Sequence, residues 1–159
     1  MDLLLEIIFI LNLGVIFYQD MKERKVTAWI LISGIFLGGF IHYLHQPQIV
    51  FLSNIVVNNC FVIMAFGILW VYAKIKIKKN IFEVFGFGDL LFFILVAVSL
   101  PILSFLIVFV FSLIFSLVIY LLLKNKLKDK TVPLAGLQSL FLGLVLIINK
   151  LLILNIYVL

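Results

Sequence analysis

From Val26 to Ala73 the chain carries no Asp, Glu, Lys or Arg. One bilayer crossing takes ~20 apolar residues, because the hydrocarbon core is ~30 Å thick and a helix rises ~1.5 Å per residue. The run is therefore too long for a single crossing. His42, His45 and Pro47 interrupt it, so it reads as two spans, Thr27–Leu44 and Ile49–Ala73, joined by a short polar turn. Thr27 is placed to cap the second helix by accepting from a free backbone N–H. Over the whole chain 66% of residues are hydrophobic and 12% charged, against roughly 45–50% and about 25% in a soluble domain. A soluble fold would expose most of that apolar surface. The composition excludes an ordinary globular enzyme, a disordered tail and a nucleic-acid module. It predicts an all-α, polytopic membrane protein, one domain over residues 1–159.

The charges mark the other boundaries. A first span runs from about Leu3 to Gln19 and stops at Asp20-Met21-Lys22-Glu23-Arg24-Lys25. No basic residue precedes it, so it is expected to stay as a span rather than to be cleaved as a signal peptide. Ile81–Leu100 is irregular: it contains Glu83, Gly86, Gly88 and Asp89, and only Leu90–Leu100 is free of charge and glycine. That piece reaches about half way across a bilayer. Pro101 precedes a fifth span, Ile102–Leu123, and Pro133 opens a sixth that reaches Asn149 or beyond. The loops after spans one, three and five hold three, four and four basic residues, eleven of the twelve, and the alternate turns hold none. Lys and Arg concentrate on the cytoplasmic side. The expectation is six spans in the plasma (inner) membrane with both termini outside the cytosol.

Several residues read as structural. Cys60, the single cysteine, sits in an apolar run as a small buried hydrophobe, and one cysteine forms neither an internal disulfide nor a cysteine-clustered zinc site. His42 and His45 lie near the outer turn with no third ligand beside them, so no metal and no cofactor is expected. Trp29, Trp70 and Tyr72 fit an aromatic belt at the cytosolic boundary, and the loop lysines suit anionic lipid head groups.

The acids carry the functional argument. Asp2, Glu6 and Asp129 lie at the outer terminus or in a lysine loop. Asp20 and Asp89 lie at the same membrane face, at the end of span one and at the entry to span four, where they can meet inside the bundle. An ionisable residue within a span is costly to bury and is a functional candidate. Two bland readings stand beside this: Asp20 as an interfacial acid paired with Lys22 or Arg24, and Asp89 as a helix N-cap. The chemistry that needs two carboxylates at one place is aspartic proteolysis. There the pair holds one proton, one member acting on water and the other on the scissile carbonyl. Gly86 and Gly88 would then permit backbone angles and a close approach that a side chain would block.

These motifs resemble a known family. Gly86-Phe87-Gly88-Asp89 is similar to the GxGD motif of intramembrane aspartic proteases. Asp20 and the basic residues after it, including Lys22 and Arg24, resemble the first-aspartate motif of the type IV prepilin peptidases. Pro133-Leu134-Ala135-Gly136 resembles that family's later proline motif. Thr27 stands where the family usually has proline, and Leu91 near a position where lysine often follows. The zinc-binding cytosolic insertion of the longer members is missing. The resemblance implies a membrane aspartic endopeptidase with Asp20 and Asp89 catalytic. Its substrates would be pilin-like precursors, cut at the cytosolic face between a basic leader and a hydrophobic helix. Glu23 and Glu83 would attract that leader, unless they pair with neighbouring lysines. Two other readings compete: a non-catalytic scaffold that binds pilin-like helices, and a presenilin-type protease, whose Pro-Ala-Leu motif Pro133-Leu134-Ala135 loosely echoes.

The orientation is open to a direct test. Cysteines introduced at Lys78 and Lys126 should be shielded from an impermeant thiol reagent in intact cells, and one at Gln46 should react. Labelling at Lys78 in sealed cells overturns the orientation.

Overall fold

In lipid a backbone group finds no partner but the chain itself, so an apolar run closes its hydrogen bonds as helix. The computed structural model describes residues 2–78, 86–123, 132–152 and 156–157, and all regular structure among them is helical. Six α-helices follow in order: α1 (Asp2–Glu23), α2 (Ala28–His45), α3 (Gln48–Tyr72), α4 (Phe87–Ser99), α5 (Ile102–Leu123) and α6 (Leu134–Leu151), with a π-helical turn, Ala73–Ile77, extending α3. All but α4 are long and apolar enough to cross a membrane. α4 has 13 residues and rises ~20 Å, short of the ~30 Å hydrocarbon thickness. The six expected crossings thus become five full-length apolar helices and one short one.

α4 is the centre of the bundle. It packs against α2, α3, α5 and α6, while α1 packs against α2 and α6. Phe92, Phe93, Leu95, Val96, Ala97 and Ser99 of α4 are all buried, as expected of a helix that is apolar all round. α2 approaches it through small residues. A Cβ on Gly34 would lie 2.6 Å from Leu95 Cδ1, and one on Gly39 would lie 2.8 Å from Val98 Cγ1. Gly34 and Gly38 are four apart, the small-xxx-small spacing that lets helix backbones approach in membranes.

Because α4 is short and Pro101 restarts the chain, its last carbonyls end inside the bundle. Side chains from two other helices reach them. His42 Nδ1 lies 2.9 Å from the Val98 oxygen. A carbonyl only accepts, so Nδ1 carries the proton and Nε2 accepts from Asn54 Nδ2 at 3.3 Å. Asn58 Nδ2 donates to the carbonyls of Ala97 (2.9 Å) and Leu100 (2.8 Å). His42 was expected near an outer turn; it is fully buried here, because the broken end of α4 needs a donor at that depth.

Other expectations change as well. α1 does not stop at Gln19 but runs through Asp20 to Glu23. Thr27 occupies the N-cap position of α2 without a side-chain hydrogen bond to the helix; its amide instead donates to Gln19 Oε1 at 3.0 Å. Lys74 and Lys76 belong to the π turn rather than to a loop, and each ammonium lies over an aromatic ring four residues earlier, Trp70 and Tyr72. Cys60 is exposed on α3 rather than buried, since the inner face of that helix is taken by Asn54, Asn58 and Val62. Glu83, the Lys124–Lys130 segment and Asp129 lie outside the described residues.

The capping of α4 can be measured by thermal unfolding in detergent. His42→Leu should cost about 1–3 kcal/mol through the stranded Val98 carbonyl. Asn58→Leu should cost more, because it strands two carbonyls. Asn59→Leu, whose bond runs only to its own helix at Ile55, should stay within about 0.5 kcal/mol of the unmodified chain.

Candidate functional site

On α1, Phe9, Leu13, Ile16 and Asp20 are all buried. Their spacing of four, three and four residues is the inner stripe of a helix. Asp20 is the last member of that stripe, which turns its carboxylate into the bundle at 7% exposure. Lys22, off the stripe, is exposed. Its ammonium donates to the Tyr18 hydroxyl at 3.1 Å and sits over that ring, so Lys22 does not pair with Asp20. Arg24 takes a left-handed backbone conformation (φ 54°), and its amide donates to the Asp20 carbonyl at 3.2 Å, closing α1. Of the two basic residues, it is Arg24 whose charge reaches the Asp20 carboxylate. Glu23 is exposed at the end of α1.

Asp89 is not the N-cap of α4; Gly86 is. Asp89 sits three residues further on and reaches back, its Oδ2 accepting from the Gly86 amide at 3.1 Å. The glycines act only in part as expected from sequence. No glycine has a positive φ, and a Cβ on Gly88 would find only ordinary contacts, 3.9 Å from Val26 Cβ and 4.0 Å from Leu31 Cδ1. A Cβ on Gly86 would press on Asp89 Oδ2 itself, at 3.2 Å.

The two aspartates meet at the start of α6. Pro133 stands at the N-cap position and supplies no side-chain hydrogen bond. The first amides of a helix have no intrahelical partner, and here two successive ones are met from outside. Ala135 N donates to Asp89 Oδ1 at 3.1 Å, and Gly136 N donates to Asp20 Oδ2 at 2.6 Å. Successive residues are about 3.8 Å apart, so carboxylates bonded to successive amides are neighbours. The positive end of the helix dipole offsets part of the cost of holding negative charge there. The close approach that glycine makes possible is at Gly136: a Cβ on it would lie 2.9 Å from Asp20 Cβ and 3.0 Å from Asp20 Oδ2.

The structure therefore brings together Asp20, Asp89 and the turn after Pro133, places Gly86 and Gly88 beside Asp89, and leaves Lys22 and Glu23 on the surface. Sequence reasoning missed what the amides of Ala135 and Gly136 do. The signal was a helix start at proline with no Ser, Thr, Asp or Asn to cap it. Among the described residues no three His, Cys, Asp or Glu side chains group as a metal site. Chemically, two adjacent carboxyl groups that share a proton can act as a general base and a general acid at once. Compared with family models, curated proteins and solved structures, the chain matches none.

Gly136→Ala should push Asp20 away from its amide and lower stability by about 1–3 kcal/mol, whereas Gly88→Ala should be nearly neutral. Thermal unfolding of the two variants side by side checks this, and equal effects would count against it.

Proposed function

We propose that the chain is a membrane aspartic endopeptidase of the prepilin-peptidase type. It would cut the basic leader from pilin-like precursors at the cytosolic face of the plasma membrane. The observation that carries this reading is the pair of carboxylates from α1 and α4 on the successive amides of Ala135 and Gly136. In this reading the ionised member of the pair takes a proton from water as the water oxygen attacks the scissile carbonyl carbon. The protonated member gives its proton to the carbonyl oxygen. The gem-diol collapses when the carboxyl that gained the water's proton passes it to the amide nitrogen, the other carboxylate takes a proton from one hydroxyl and the C–N bond breaks, giving a new carboxyl end and a new amine. The site lies at the bundle end that carries Lys22, Arg24 and Lys25, where a leader entering from the cytosol would meet the exposed carboxylate of Glu23.

One observation favours a second reading, a non-catalytic scaffold. Both carboxylates act as helix caps: Asp89 on Gly86 and Ala135, Asp20 on Gly136. Substitution by Asn separates the two readings. Asn accepts from a helix amide about as well as Asp, but it cannot cycle between base and acid. Asp20→Asn should keep abundance and thermal stability, whereas Asp89→Asn, whose one amide oxygen can accept from only one of Gly86 and Ala135, should lose about 1–3 kcal/mol. Each should lower cleavage about 10²- to 10⁴-fold, with the double variant little worse than either single one. Mass spectrometry of the N-termini of co-expressed pilin-like precursors reads the outcome. Full cleavage by Asp89→Asn would leave the aspartates as caps and the protein as a scaffold.

A further inference from the structure

Gln138 lies three residues beyond Ala135 on α6 and is 1% exposed. Neither its Nε2 nor its Oε1 has a hydrogen-bond partner. Asn12 and Asn58 each leave only their oxygen unpartnered, so a carboxamide with both atoms buried and open is peculiar to Gln138 among the described residues. Its neighbour Ser139 is satisfied locally, donating to the Gly136 carbonyl at 2.7 Å. In apolar surroundings each open polar group costs on the order of 1–3 kcal/mol, so the carboxamide calls for a ligand that both donates and accepts.

Position and size narrow that ligand. Three residues are ~4.5 Å along a helix axis, and helical side chains lean toward the N-terminus of their helix. Gln138 thus leans toward the turn whose Ala135 amide holds Asp89. A side chain 1% exposed cannot meet a peptide strand unless the helices part. A water needs only about one probe sphere of space, ~10–15 Å³, together with two or more polar partners. One water accepting from one of the two Nε2 protons and donating to Oε1 gives each atom a partner.

We propose that Gln138 holds an ordered water inside the bundle, beside the Asp20–Asp89 pair, and positions it for the hydrolytic step. The second half of this statement rests on the peptidase reading; the first does not. A hydrolytic enzyme needs a water held in place against its acid–base pair, and a buried polar group beside that pair can hold it. Gln138 acts as a positioning residue for that water.

Two measurements on the full chain in detergent test this. In the protein labelled with ¹⁵N-glutamine, the Gln138 side-chain amide, assigned through Gln138→Met, should show a direct magnetisation-transfer peak from water. Gln138→Met keeps the length and removes both polar atoms. A misplaced reacting water should cost about 10- to 100-fold in kcat, with KM on a pilin-like precursor within about twofold and thermal stability kept or raised. A merely structural carboxamide would show the stability result without the kcat loss. Absence of the water peak overturns the site, and an unchanged kcat overturns its hydrolytic role. A water peak in a protein that cleaves no precursor supports the water site and removes the peptidase reading instead.

Discussion

α6 follows a proline that has neither an amide proton nor a capping side chain, and the amides of its second and third residues are buried. Those amides, of Ala135 and Gly136, are met by carboxylates from α4 and α1. The arrangement ties three helices together at one end, with bonds spanning 46 and 116 residues of sequence. At the opposite end of the same pair, Lys150 of α6 meets Glu6 of α1 at 2.9 Å, so α1 and α6 are held antiparallel at both ends. The carboxylates are tolerated in these surroundings because each accepts from oriented main-chain donors at the positive end of a helix dipole.

α4 depends on its neighbours at both ends. Its N-terminal amide is closed by its own Asp89, which faces α6 with the other oxygen. Its C-terminal carbonyls are closed by His42 and Asn58 from α2 and α3. A helix of 13 residues has no free length with which to adjust its depth. The contacts that hold Val98 and Leu100 therefore also set where Asp89 stands. The glycines of α2 belong to the same device, since only their missing side chains let His42 come within hydrogen-bond distance of α4.

Much of this architecture was legible in the sequence. Five runs of apolar residues separated by charge, proline and histidine became five long helices, and Ile102–Leu123 matches its expected limits at both ends. The irregular segment before Pro101 became the short helix. Asp20 shares the spacing of Phe9, Leu13 and Ile16, but Leu4, Leu11 and Val15 make the outer face equally apolar, so only packing decided which stripe turns inward. The glycine argument held only in part: Gly86 and Gly88 have ordinary backbone angles, a Cβ would be tight against Asp89 at Gly86 but not at Gly88, and the tightest approach to either aspartate is at Gly136. Nothing local marks Gly136, because the atom it must avoid belongs to a residue 116 positions earlier.

The sequence by itself determined that the chain is helical, that most of its helices are long enough to cross a bilayer, and that Asp20 and Asp89 share one end. Each of these follows from local length, periodicity and the cost of placing charge in hydrocarbon. Tertiary structure alone decided which polar groups meet. His42 with Val98, Asn58 with Ala97, and the two aspartates with successive amides are partners by depth and rotation, not by spacing along the chain. In an apolar interior every unpaired donor or acceptor must be satisfied wherever the packing happens to leave it. That requirement acts only after the helices have come together.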